Sequence, residues 1–122
     1  MRRAYGPENT DVVYATAAMG RNQYYLGRTT EAEKNLRWSL DVTDPAGRLD
    51  PTFYARFGRL LVMLLVDQRR WDQAEPLVLR VLAIQDSLKD TLARASAEQL
   101  AKIYEGTGRH DLAAEYLKRL SP

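Results

Sequence analysis

The hydrophobic positions of this chain do not alternate with polar ones at the period of two that a half-buried strand requires. Val, Ile and Thr are scattered, whereas Ala, Leu, Glu, Arg and Gln fill segments of about 12–18 residues, a usual length for helices in globular proteins. Short clusters of Gly, Pro and Asp separate these segments. The pattern predicts an all-α chain, with helices at about 10–26, 30–43, 51–67, 72–86, 90–106 and 110–120.

Several predicted helices begin with residues that can satisfy the free backbone N–H groups of a helix start. Thr30 and Glu33 have the spacing of a capping box, and Asp72 repeats that arrangement in the fourth helix. Asp50 precedes Pro51, and proline suits the first helical position because no hydrogen bond is lost there. These signals support the predicted starts of the second, third and fourth helices.

Three stretches of the chain are similar to one another, and each joins two predicted helices. Their shared turn position holds Gly27, Arg69 and Gly108. A small residue follows five places later, at Ala32, Ala74 and Ala113. The spacing is 42 residues from position 27 to 69 and 39 residues from 69 to 108. Each unit is therefore predicted to be a helix, a tight turn and a second helix.

The residue types at equivalent positions suit stacked helical hairpins. Only a small side chain lets two helices approach to about 8–10 Å, so the three alanines are predicted to lie at helix crossings. The small or medium residues predicted to face them are Gly20, Val62 and Ala101. The larger residues predicted to fill the seam are Leu36, Leu40, Val78, Leu82, Leu117 and Leu120. The third helix carries Phe57 and the apolar run 60–66, so it should be covered on several sides.

The repeated pattern resembles tetratricopeptide repeats (TPRs), in the 42-residue variety of kinesin light chains and many bacterial proteins. The resemblance is carried by the stretches Tyr5–Val12, Tyr24–Arg28 and Trp71–Leu77. It implies an α–α superhelix of about three helix-turn-helix repeats in a single domain, residues 1–122, with repeats at about 10–43, 51–86 and 90–120. The chain departs from the family's pattern at Thr29 and His110, where an aromatic ring is usual, and at Arg69, where glycine is usual.

The two ends of the chain suggest that the array continues. Residues 1–5 resemble the tail of a preceding second helix, and no obvious polar capping helix follows the last hairpin. Arrays of this family generally need such a cap, because the last hairpin otherwise exposes apolar surface. We therefore expect either a piece of a longer array or a homo-oligomer formed through the C-terminal hairpin, with Leu112 and Tyr116 uncovered.

The resemblance also implies a binding surface, because the first helix of each hairpin lines the concave side of such arrays. The predicted peptide-binding groove consists of Tyr14, Arg21, Tyr24, Tyr25, Arg56, Arg59, Met63, Glu98 and Lys102. Tyrosine and arginine are over-represented at binding hot spots, and this set suits an acidic peptide with an apolar anchor. The family's lysine and asparagine clamp for a terminal carboxylate is not reproduced, since its positions hold Ala17, Arg21 and Leu60. The alternative is that the tyrosines pack against a neighbouring hairpin and the arginines form a solvated face.

Composition removes most other function classes. The net charge of +2 is too small to indicate nucleic acid, and acidic residues are interspersed with the basic ones around Arg69, Arg70 and Trp71. The chain has no cysteine, which excludes thiolate metal sites and cysteine nucleophiles. Its single histidine is His110. We expect His110 to pack at its turn, and we expect no catalytic activity, metal or cofactor. The longest apolar run, 60–66, is far shorter than the ~20 residues of a membrane span, so we expect a cytoplasmic protein.

The sequence thus predicts a protein-binding scaffold that holds a peptide or a partner helix in its groove. The alternative is a structural or oligomerisation segment of a larger regulatory protein, without a ligand of its own.

Overall fold

The computed structural model describes residues 10–43 and 51–120, with side chains for 11–43 and 51–118. These residues form six α-helices and no strand, as the sequence predicts. The helices are α1 Thr10–Tyr25, α2 Thr29–Thr43, α3 Pro51–Asp67, α4 Trp71–Ser87, α5 Ala93–Gly106 and α6 His110–Leu120. Every bound lies within one residue of its predicted position except the start of α5, which comes three residues later.

The late start of α5 follows from the turn before it. Lys89 has a left-handed backbone with φ 55°, which ends α4, and the Asp90 N–H donates to the Gln85 carbonyl at 2.8 Å. The Asp90 carboxylate then accepts a hydrogen bond from the Leu92 N–H at 2.8 Å. Because Asp90 stabilises this turn, the helix begins at Ala93 and not at the aspartate.

The predicted turn register is confirmed by the backbone. Gly27, Arg69 and Gly108 all have positive φ, at 82°, 58° and 81°. In each case the next N–H donates to the carbonyl five residues earlier, which is the Schellman arrangement that ends a helix. These hydrogen bonds run from Arg28 to Gln23 at 2.8 Å, from Arg70 to Leu65 at 2.9 Å and from Arg109 to Tyr104 at 2.7 Å.

The predicted caps at Thr30 and Asp72 are wrong. The helices α2 and α4 begin one residue earlier, and Arg70 precedes α4 without any side-chain capping hydrogen bond. In α2 the Ala32 N–H donates to the Arg28 carbonyl at 2.9 Å, so helical bonding starts directly after the turn. Only one residue, an arginine in both turns, therefore separates the left-handed residue from the second helix, and this arginine and not Thr30 or Asp72 precedes the helix start.

The chain divides into two compact units after Leu61. In the first unit α1 packs against α2. A Cβ atom at Gly20 would lie 3.0 Å from Leu36 Cγ and 3.3 Å from the Ala32 carbonyl oxygen. Ala32 and Leu36 are fully buried. The predicted crossing of Gly20 and Ala32 is thus confirmed, and the absence of a side chain at position 20 is what allows it.

In the second unit α4 packs against α5, and α5 packs against α6. Ala74, Ala113 and Ala101 are buried, as predicted for helix crossings. Leu117 was expected in the seam, but it is 47% exposed. Tyr116 was expected to be uncovered, but it is half-buried and its ring centroid lies 6.1 Å from that of Tyr104. The seam of α6 therefore runs one position earlier along the helix than predicted.

The helix α3 is apolar around most of its circumference, as predicted. Phe57 and six of the seven residues in 60–66 are buried, and Met63 is half-buried. The expectations for residues 1–9, the turn at 44–50 with Asp50, and the Leu120 side chain lie outside the described residues.

Candidate protein-binding surface

An aromatic cluster in the first unit joins α1 to the start of α3. The Tyr14 ring is 43% exposed, and its inner edge meets Phe53, with ring centroids 4.8 Å apart, and Phe57, at 6.3 Å. Both phenylalanines are buried and contact one another at 4.9 Å. Tyr14 thus has one side held by the core and the other open to solvent.

Arg21 lies on the same helix and over the same cluster. It is half-buried, and its guanidinium carbon lies 6.0 Å from the centroid of the Phe57 ring, within the range of a cation–π contact. Two further predicted groove residues are on α3, where Arg56 is exposed and Arg59 is half-buried. The structure therefore brings an exposed tyrosine and an arginine together over two buried rings.

The last predicted residues of α1 form a second aromatic pair. The ring centroids of Tyr24 and Tyr25 lie 5.2 Å apart, nearly edge to face. Tyr24 is half-buried, whereas Tyr25 is 64% exposed.

The helix α1 and the first-unit part of α3, residues 51–61, carry more basic than acidic residues. These segments carry Arg21, Arg56 and Arg59, and their only acidic residue is Asp11. The helix α2 mixes both signs, and its Arg37 donates to the Glu33 carboxylate at 2.9 Å. These two segments therefore carry a net positive charge, and at Arg21 the charge lies over an aromatic ring.

In the second unit an open cavity of about 730 Å³ lies near the ends of several helices. It is lined by Val66, Asp67, Arg69, Trp71, Glu98, Ala101, Lys102, Glu105, Gly106 and Leu117. The predicted groove residues Glu98 and Lys102 are among them, whereas Met63 is not. Sequence reasoning did not include Trp71 or Leu117 in the groove, and it assigned Leu117 to the seam between helices.

The Trp71 indole lies directly on Gly106 at the end of α5. Any side chain at position 106 would overlap the indole ring, so glycine makes this contact possible. Trp71 is half-buried and forms one wall of the cavity.

A polar network missed by sequence reasoning links α4 to the α5–α6 turn. The Arg109 guanidinium donates to both carboxylate oxygens of Glu75 and lies 4.9 Å from the centre of the Tyr104 ring. The hydrogen bond from Arg109 holds the pKa of Glu75 below its ordinary value of 4.5, against the effect of burial. The same bond raises the pKa of Arg109, and burial raises the pKa of Tyr104. An arginine follows the turn residue in all three repeats, so the sequence marks the position of Arg109. Only the three-dimensional structure shows that its partner is Glu75.

His110 does not pack at its turn as predicted. Its side chain is two-thirds exposed, and Nδ1 lies 2.6 Å from a Glu105 carboxylate oxygen. Gly108 forms the α5–α6 turn, as its place in the shared turn register predicts.

Across residues 10–43 and 51–120, acidic and histidine side chains form no group of three that could hold a metal ion. None of the helices in those ranges is both long enough and apolar enough to cross a membrane.

No protein-family model matches the chain, and no curated protein matches it. Among solved structures, it is similar to two crystal structures of a candidate kinesin light chain from Podosopora anserina, described by its nearly identical TPR-like repeats. Each match has a TM-score of 0.68 and 19% sequence identity and covers 93% of this chain. The chain spans 55% and 56% of the matched chains, so it corresponds to about half of their length. At this identity the likeness concerns the fold, and the chain accordingly has the fold of the TPR-like helical repeats.

Proposed function

We propose that this chain is a protein-binding scaffold that holds an acidic peptide, or an acidic helix of a partner, on the α1 and α3 surface of its first unit. Helical repeat proteins use the surface formed by successive repeats to bind other proteins. The observation that carries the proposal is the position of Tyr14 and Arg21 over the buried rings of Phe53 and Phe57.

The packing of these two side chains favours binding. Tyr14 and Arg21 are held against buried rings before any partner arrives, so little side-chain freedom is lost on association. Tyrosine supplies a large contact area, and arginine supplies a planar set of donors for carboxylates. The excess of arginine over acidic residues on α1 and α3 selects a partner of negative charge.

For the other predicted groove residues, a role in binding remains a prediction. Tyr24 and Tyr25 extend the same helix, and Arg59 lies one turn from Arg56. Met63, Glu98 and Lys102 belong to the second unit, and their part in binding the same peptide is predicted from the family resemblance. The absence of catalytic activity and a cytoplasmic location are also predictions.

A selection experiment tests the proposal. Random peptides displayed on phage are selected on the immobilised chain, and the affinity of an enriched peptide is then measured by fluorescence anisotropy. We expect enriched sequences to combine Asp or Glu with an apolar side chain. Arg56→Glu should weaken binding by about tenfold or more, a loss of about 1.4 kcal/mol, because it places like charges together. Arg56 suits this test because it is exposed, whereas half-buried Arg59 also contributes to packing.

The matched control is Lys34→Glu on α2, which makes the same charge change on an exposed residue outside the surface. It should leave the affinity within about twofold. Enrichment without acidic residues, or equal binding by the Arg56→Glu variant, would contradict the proposed surface. Failure to enrich any peptide would favour the alternative of a structural segment without a ligand.

A further inference from the structure

The turn between α1 and α2 presents an unusually exposed apolar pair. Leu26 is 72% exposed and Tyr25 is 64% exposed, the two highest values among the large apolar side chains in the described part of the chain. Arg28, two residues after Leu26, is exposed as well. We call Tyr25, Leu26 and Arg28 the tip.

The exposure of the tip does not come from a frayed helix end. The Leu26 N–H donates to the Asn22 carbonyl at 3.0 Å, and the Gly27 N–H donates to the Tyr24 carbonyl at 3.1 Å. The Arg28 N–H closes the turn on the Gln23 carbonyl at 2.8 Å. The backbone of the tip is therefore fixed, with an apolar side chain and a cation projecting from one turn.

The cavity of the second unit has the complementary character. Its apolar lining consists of Val66, Trp71, Ala101 and Leu117. Its charged lining consists of Asp67, Glu98, Glu105, Arg69 and Lys102, so carboxylates outnumber cations. A volume of about 730 Å³ can accept two large side chains, and Leu117 remains 47% exposed within it.

The tip and the cavity both lie at the ends of helices. The tip lies at the C-terminal end of α1, and the cavity is bordered by the end of α3, the start of α4 and the end of α5. Such positions are accessible to another molecule, and large exposed apolar side chains at one site commonly mark an interaction surface.

We propose that the chain associates with itself, the tip of one copy entering the cavity of a second copy. Leu26 contacts Trp71 and Leu117, and Arg28 pairs with the Glu98 carboxylate at the rim. Because the two contacting surfaces differ, a pair of copies keeps one free tip on one copy and one free cavity on the other, so association continues beyond a dimer. The proposal does not depend on Tyr14 or Arg21, which carry the proposed peptide surface, although Tyr25, Glu98 and Lys102 are also among the predicted groove residues.

Sedimentation velocity of the whole chain, from micromolar to millimolar concentration and without any peptide, tests this proposal. The contact is small, so association should be weak, and the average mass should rise with concentration without a plateau at the dimer. Leu26→Ser and Glu98→Arg should each keep the chain monomeric. Both residues are exposed, so circular dichroism should show an unchanged helical content.

A mixing experiment separates this contact from every symmetric one. The Leu26→Ser variant keeps an intact cavity, and the Glu98→Arg variant keeps an intact tip. Mixed in equal amounts, the two should form a complex of one copy each that grows no further. A chain carrying both Arg28→Glu and Glu98→Arg should regain self-association, because the charges at the contact are exchanged. Met19→Ser is the matched control, since Met19 is an exposed apolar residue of α1 outside the tip, and it should associate like the unchanged chain.

A chain that stays monomeric at millimolar concentration would overturn the proposal. So would self-association of Leu26→Ser equal to that of the unchanged chain, or mixed variants that fail to pair. Loss of peptide binding in Arg56→Glu leaves self-association intact if both proposals hold, so their failures can be told apart.

Discussion

The Arg109 guanidinium forms a bidentate ion pair with the Glu75 carboxylate, 34 residues earlier in the chain. One of its two hydrogen bonds measures 3.0 Å, from Nη1 to Oε2. Because Arg109 precedes α6 and Glu75 lies in α4, the pair joins the α5–α6 turn to α4. The Tyr104 ring lies against the guanidinium and shields it on one side.

This ion pair predicts an acid-dependent loss of stability. The folded state lowers the pKa of Glu75 below 4.5, so the contribution of the pair is complete above about pH 4.5 and falls as the pH drops through the folded pKa. Glu75→Gln should lower the melting temperature at neutral pH. The difference between the two chains should then shrink as the pH falls below 4.5, since the unchanged carboxyl becomes protonated too.

Thermal melts followed by circular dichroism across this pH range provide the measurement. Glu115→Gln is the control, because Glu115 is exposed on α6, and its difference from the unchanged chain should stay small throughout. A Glu75→Gln difference that stays constant down to the lowest pH would show that Glu75 does not titrate with a lowered pKa.

Because the Trp71 indole lies on Gly106, adding one methyl group at position 106 should lower the stability of the folded chain substantially. Gly106→Ala places a Cβ atom inside the volume of the indole, so the ring must shift. The expected loss is about 1–3 kcal/mol of unfolding free energy in urea, the usual cost of overpacking. In a Trp38→Phe background the emission of Trp71 should also move to longer wavelength as the ring becomes more exposed. Lys102→Ala, an exposed change on the same helix, should stay within about 0.5 kcal/mol.

The buried position of Ala74 predicts that a larger residue is not tolerated there. Ala74 is fully buried on α4, so Ala74→Leu should cost about 1–3 kcal/mol of unfolding free energy. Ala83→Leu makes the same change on an exposed face of the same helix and should cost less than about 0.5 kcal/mol. Equal urea midpoints for the two variants would mean that Ala74 does not lie at a helix crossing.

The left-handed backbone of Arg69 predicts a stabilising substitution. An L-residue at positive φ costs about 1–2 kcal/mol, and glycine removes that cost while making the unfolded chain more flexible. Arg69→Gly should therefore raise the unfolding free energy by about 0.5–1 kcal/mol. The reverse change, Gly27→Ala at φ 82°, should lower it by about 1 kcal/mol. Destabilisation by Arg69→Gly would show that the arginine side chain contributes more than its backbone costs.

Much of the fold could be predicted because it depends on local chemistry that recurs. Turn residues separate the helices, and the shared register of Gly27, Arg69 and Gly108 marks the places where the backbone turns left-handed. The small residues that follow each turn locate the helix crossings, as Ala32, Ala74 and Ala113 show by their burial. For the candidate surface, the same register placed Tyr14 and Arg21 on one helix but gave no information on the rings beneath them.

What amino-acid order alone determined is therefore the set of six helices within residues 10–43 and 51–120, the form of the turns at positions 27, 69 and 108, and the small residues at the helix crossings. Only tertiary structure decided that Tyr116 and not Leu117 faces the seam of α6. It also decided that Arg109 pairs with Glu75 and that the Trp71 indole contacts Gly106. The physical reason is range: helix formation and turn geometry depend on neighbours within a few residues. The side of a helix that is buried, and the partner of a charge, depend on segments that folding brings together from a distance of 12 residues, for Tyr104 and Tyr116, to 34 residues, for Glu75 and Arg109.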